Sequence, residues 1–66
     1  MKGRVAEFDE HRGIGTITAD DGTNYSFHCT QIADGTRTID VNAPVDFEVR
    51  PGHLGQWEAT AIEKSA

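Results

Sequence analysis

Turn-forming residues interrupt this chain before any apolar run grows long. Glycine, proline and clustered aspartate divide it into five short apolar segments. One of them, Val45-Asp46-Phe47-Glu48-Val49, alternates apolar and polar residues without a fault, which is the period of a strand with one buried face. Two others, Ile14–Ala19 and Thr23–Cys29, flank Asp20-Asp21-Gly22. Glycine supplies the positive φ of a tight turn, so this is a hairpin signal. Arg4–Phe8 and Trp57–Ile62 complete the set. A helix is the rival reading of the last segment, because Glu, Ala and Lys favour helices. The long connection from Thr30 to Ala43 has Ile32 and Ile39 as its expected anchors, and Thr30–Gly35 suits one helical or 3₁₀ turn stopped by Gly35.

Each strand must bury one face, and closing the sheet removes its exposed edges. Alternation assigns Val5, Gly15, Ile17, Ala19, Tyr25, Phe27, Val45, Phe47 and Val49 to the inside. Ile14, Thr16, Thr18, Asn24, Ser26 and His28 then share the outer face of the second and third strands. The pattern predicts an all-β fold, a small five-stranded barrel, as a single domain over residues 1–66.

Size and charge narrow the function classes. A chain of 66 residues buries only about 60% of its unfolded surface, so the core is thin. The net charge of -5 argues against non-specific polyphosphate binding, which depends on cations, but it leaves room for a local basic rim. No segment approaches the ~18 apolar residues of a membrane helix, and no apolar stretch follows Met1-Lys2-Gly3-Arg4 to form a secretory signal. Cys29 is the single cysteine and has no internal disulfide partner, so a cytoplasmic location is expected.

Several segments in order resemble the bacterial cold-shock proteins. Lys2-Gly3-Arg4-Val5 is similar to that family's opening, and Phe8-Asp9-Glu10-His11-Arg12-Gly13-Ile14-Gly15-Thr16-Ile17 resembles the segment carrying its first RNP motif. Tyr25-Ser26-Phe27-His28-Cys29-Thr30-Gln31-Ile32 is similar to the second RNP motif. Asp34–Ile39, Val45–Val49 and Gly55–Ile62 follow the family's later segments, with one insertion expected in the last. The resemblance implies a five-stranded antiparallel OB-fold barrel that binds single-stranded RNA or DNA by stacking bases on aromatic rings beside a basic rim. Six positions where it implies stacking aromatics carry Glu7, Ile14, Thr16, Ser26, Cys29 and Thr36 instead, and Ala6 stands in place of a lysine. Phe8, His28, Arg12 and Arg37 retain the expected character. A base stacked on an aromatic contributes about 1–3 kcal/mol. Losing three such platforms removes roughly 3–9 kcal/mol, as much as the ~8 kcal/mol of micromolar binding. Weak binding is therefore expected.

The candidate nucleic-acid-binding residues are Phe8, Arg12, Ile14, Thr16, Ser26, His28 and Arg37. His28 is either a stacking ring or a polar strand residue facing water, and Phe8 reads as a rim residue. Arg12 and Arg37 either grip phosphates or pair with Glu10 and Asp34. Trp57 either closes one end of the barrel or supplies a displaced stacking surface. A zinc site from His28, Cys29, His11 and His53 is not expected, because adjacent strand residues face opposite ways and no second cysteine completes a set. Gly13-Ile14-Gly15 lacks the third glycine of a dinucleotide loop. No nucleophile has an evident base, so neither an enzyme nor a cofactor is expected. The alternative function is a protein-interaction module or homodimer subunit on the same fold.

Overall fold

The computed structural model describes residues 1–52 and 55–64. Five strands form: β1 (Lys2–Asp9), β2 (Ile14–Ala19), β3 (Asn24–His28), β4 (Pro44–Pro51) and β5 (Trp57–Lys64). They close into a barrel in the order β1-β2-β3-β5-β4. Four pairings are antiparallel, and the closing contact of β3 with β5 is parallel, at Ser26 opposite Glu58. The segment from Trp57 is a strand, not a helix. Pairing to β4 and β3 overrides its modest helix propensity, which tertiary contacts routinely do. No helix among the described residues is long and apolar enough to cross a membrane.

Alternation decides the interior. Val5, Ile17, Phe27, Val45 and Phe47 are buried as the strand period requires, while Tyr25 and Val49 are half-buried against them. Full burial of a side chain such as Ile17 or Phe27 is worth about 1.5–3 kcal/mol. The rings of Tyr25 and Phe47 meet at 5.7 Å between centroids. Ala59 and Ile62 complete the core from β5, and no polar side chain among the described residues is buried in it.

Two register shifts bend the strands. In β1, Val5 pairs with Ile17 and Glu7 with Thr16, so Ala6 is an extra residue, the signature of a β-bulge. In β5 a second shift lies opposite Asp46–Glu48, where Ala61 adopts φ 50°. That left-handed backbone is costly for any residue with a Cβ.

The long connection is held at several points. A 3₁₀ turn spans Cys29–Gln31, and Gly35, with φ 76°, donates its N–H to the Ile32 carbonyl at 3.1 Å. Ile32 bridges to Ile62, and both Ile32 and Ile39 are buried, as their anchoring role predicts. Farther on, Asp34 accepts the Thr36 backbone N–H at 3.0 Å and the Thr36 hydroxyl at 2.8 Å, and pairs with Lys64 of β5 at 3.2 Å.

This geometry makes stability acid-sensitive. The Thr36 backbone N–H, then its hydroxyl, and finally Lys64 hold the Asp34 carboxyl below its ordinary value of 3.8. The backbone N–H and hydroxyl of Thr23 do the same for Asp21. A carboxyl depressed in the folded state stabilises it fully above the unfolded pKa, and that contribution is lost as pH falls through the folded value. We expect the urea midpoint to drop as pH is lowered below 3.8, and the double variant Asp21→Asn/Asp34→Asn to show a shallower acid limb. An unchanged limb would assign the acid sensitivity to other groups.

Candidate functional site

The outer face of β1, β2 and β3 is built by their register. Ile14 lies opposite His28, Thr16 opposite Ser26, and Glu7 opposite Thr16. The bulge at Ala6 makes this face possible. Strict alternation from buried Val5 would turn Glu7 inward; the extra residue turns it outward beside Thr16, whose hydroxyl donates to Glu7 Oε1 at 3.4 Å. The same shift brings Phe8 opposite Gly15 and stacks its ring on buried Phe27, with centroids 5.9 Å apart and planes inclined by 7°. Gly15 is essential to that stack. A Cβ there would lie 2.7 Å from Phe27 Cζ and 2.6 Å from the Glu7 carbonyl oxygen.

At the end of β3 the chain is tied back to the β1–β2 loop. Gly13 takes φ 66° and donates to the Asp9 carbonyl at 2.8 Å, while its own carbonyl accepts the Cys29 N–H at 2.7 Å. A Cβ on Gly13 would lie 2.9 Å from Cys29 Sγ. Cys29 is half-buried against the core, as a free cysteine acting as a small apolar residue commonly is. His53, one of the zinc candidates considered above, lies outside the described residues.

These elements surround one open depression of about 560 Å³, a volume in the range of ligand sites. Six of the seven predicted site residues, Phe8, Arg12, Ile14, Thr16, Ser26 and His28, line it; Arg37 does not. Arg37 stands in the long connection, exposed and with φ 61°. Neither Arg37 nor Arg12 forms an ion pair among the described residues, and Asp34 is engaged by Lys64 instead. His28 is exposed and Phe8 half-buried.

Sequence reasoning missed part of the lining. Asp9 and Glu58 join Glu7, so three carboxylates face one guanidinium, that of Arg12. Glu58 arrives from β5 through the parallel pairing with Ser26, and its side chain packs over Gly52. Arg50, opposite Glu58 across β4 and β5, borders an adjoining hollow with His28 and Glu58. No local pattern in the sequence announces either residue, because their position depends on strands far apart in the chain. Trp57 does not close the barrel: it is 55% exposed.

The comparisons with known proteins agree with this architecture. A family model described as the 'Cold-shock' DNA-binding domain matches residues 1–65. The chain belongs to the cold-shock domain family. It is 36% identical over 60 residues to a cold shock-like protein of Thermotoga maritima, covering 89% of this chain and 91% of that protein. It is 36% identical over 64 residues to the cold shock-like protein CspG of Escherichia coli K12, covering 94% of this chain and 91% of that one. Among solved structures, Drosophila Unr CSD456 superposes with a TM-score of 0.80 at 27% identity over 98% of this chain; the match spans 26% of the Unr chain. In this cold-shock domain Thr16 and Ser26 sit side by side at the centre of the outer face, and Glu7 borders them. A polar, acidic centre thus stands where the family resemblance implies aromatic rings.

The dependence of the Phe8–Phe27 stack on Gly15 is testable. Gly15→Ala should destabilise the domain by about 1–3 kcal/mol, the usual cost of overpacking, read from urea denaturation. Unaltered stability would mean that Phe27 has another rotamer open to it.

Proposed function

We propose that this cold-shock domain binds single-stranded RNA or DNA weakly on the outer face of β1, β2 and β3. The observation that carries the reading is the convergence of Phe8, Arg12 and His28 on one depression that spans three strands. An aromatic ring beside cationic or polar groups suits an unstacked base and its phosphate. The three carboxylates Glu7, Asp9 and Glu58 in the same depression oppose phosphates, and the absent aromatics remove stacking energy. Both effects lower affinity without changing the ligand class. The face binds and holds; no step of covalent chemistry is assigned to it.

The same carboxylates favour a second reading, a surface for a basic protein segment. Titration separates the two. Oligo-dT or oligo-U added to ¹⁵N-labelled protein should shift the resonances of Arg12, Ser26 and His28, with a Kd of roughly micromolar to millimolar. The affinity should fall as salt rises, by a logarithmic slope of about −0.7 per phosphate contacted. Absence of shifts at low salt, with shifts on adding a lysine-rich peptide, would replace the nucleic-acid reading with the protein-binding one.

A second experiment addresses why binding is weak. Thr16→Phe combined with Ser26→Phe should tighten oligonucleotide binding at least about thirtyfold, since each of the two restored stacks is worth about 1–3 kcal/mol. Unchanged affinity would show that repulsion by the carboxylates, not the missing rings, sets the limit.

A further inference from the structure

We propose that Trp57 is a base-stacking platform displaced to the side of the barrel, so that a bound single strand runs from the Phe8–His28 depression across Thr16 and Ser26 onto the indole. The inference rests on the single-strand-binding reading above and adds to it the path of the ligand.

Trp57 is the chain's single tryptophan and is 55% exposed. In a barrel with so small an interior, burying the largest apolar ring would be strongly favourable, so leaving it in water forgoes stabilisation that the fold has few other ways to gain. Its position follows from topology. The parallel pairing of Ser26 with Glu58 brings Trp57, the first residue of β5, alongside the β3 residues Asn24 and Tyr25. There it lines a second depression with Asn24, Tyr25 and Gln56. Thr16 and Ser26 line both this depression and the first, so the two adjoin across these residues.

Their electrostatics differ. Three carboxylates line the first depression, whereas no charged side chain lines the second. A phosphodiester chain is therefore repelled less beside Trp57 than at the centre of the outer face. The second depression also offers hydrogen-bonding groups for base edges. The Asn24 side-chain carbonyl accepts from the Thr18 hydroxyl at 2.7 Å, which leaves its amide N–H groups to donate, and Gln56 lines the same depression as Trp57. An unstacked nucleobase fits this combination of π-face and amides, because every base presents a π-face and polar edges. Bases inside a duplex keep their faces covered and do not fit.

The experiment uses the full chain and an oligo-dT of about eight nucleotides, within the site size of an OB fold. Because Trp57 is the single tryptophan, its emission reports this position alone. Oligo-dT should quench and shift the emission, and a duplex of equal length should not. By anisotropy of labelled oligo-dT, Trp57→Ala should weaken binding roughly fivefold or more, the equivalent of about 1 kcal/mol from one stacked base. Trp57→Phe should retain most of the affinity, and both variants should keep the dispersed amide spectrum of the folded barrel. If oligo-dT shifts Arg12 and His28 resonances while the emission stays unchanged and Trp57→Ala binds like wild type, the displaced platform is wrong and the binding reading survives. If oligo-dT neither shifts those resonances nor alters the emission, both fail. Quenching by a lysine-rich peptide but not by oligo-dT would likewise overturn the proposal and assign the indole to a protein partner.

Discussion

Phe27 lies against β2 only because Gly15 presents no side chain to it. A Cβ at that position would press on both the Phe27 ring and the Glu7 carbonyl, so a single missing atom lets three strands approach. The consequences reach inward and outward together. Inward, Phe27 is 1% exposed and fills the barrel beside Ile17 and Ile62. Outward, Phe8 finds a flat aromatic partner and forms part of the floor of the central depression. Core and candidate site are thus two sides of one contact, and in a domain with so thin an interior neither can be altered alone.

The outer face is constrained less tightly than the core beneath it. Interior positions tolerate exchange only among residues of similar volume, because packing is dense. Outer positions carry no such constraint. Thr16 and Ser26 stand opposite one another, as the register demands, and hydroxyls occupy positions where the family resemblance implies aromatic rings. Glu7 adds an anion there, and its neighbour Thr16 donates a hydrogen bond to it. The result is an outer face whose centre is polar and acidic.

Much of this is legible in the sequence. Strict alternation located Val45, Phe47 and Val49, and the Asp21-Gly22 turn placed β2 against β3. Ile32 and Ile39 are the expected anchors of the long connection, and both are buried. The candidate site was legible in part. Family resemblance pointed to Arg12, Ser26 and His28, which do converge, and to Arg37, which stands apart from them. The resemblance aligns positions along a chain, and it carries no information on where a long connection places one of its side chains. Nothing in the sequence marks Asp9, Glu58 and Arg50 as neighbours of the site. Each is an ordinary surface charge in sequence and gains its meaning from a neighbour on another strand.

The sequence by itself determined the course of the first four strands, most of the side chains they bury and the turn between the second and third, because a two-residue period and a glycine turn are local properties; the last segment, open to a helical reading, became a strand through its pairing to β4 and β3. Only the tertiary structure decided what surrounds the candidate site. The bulge at Ala6 reverses the orientation of Glu7 and Phe8, and the parallel contact of β3 with β5 brings Glu58 to the acidic centre and Trp57 to its flank. Both depend on how the sheet twists and closes on itself. That closure is fixed by contacts between residues distant in sequence, so no window of neighbouring residues contains it.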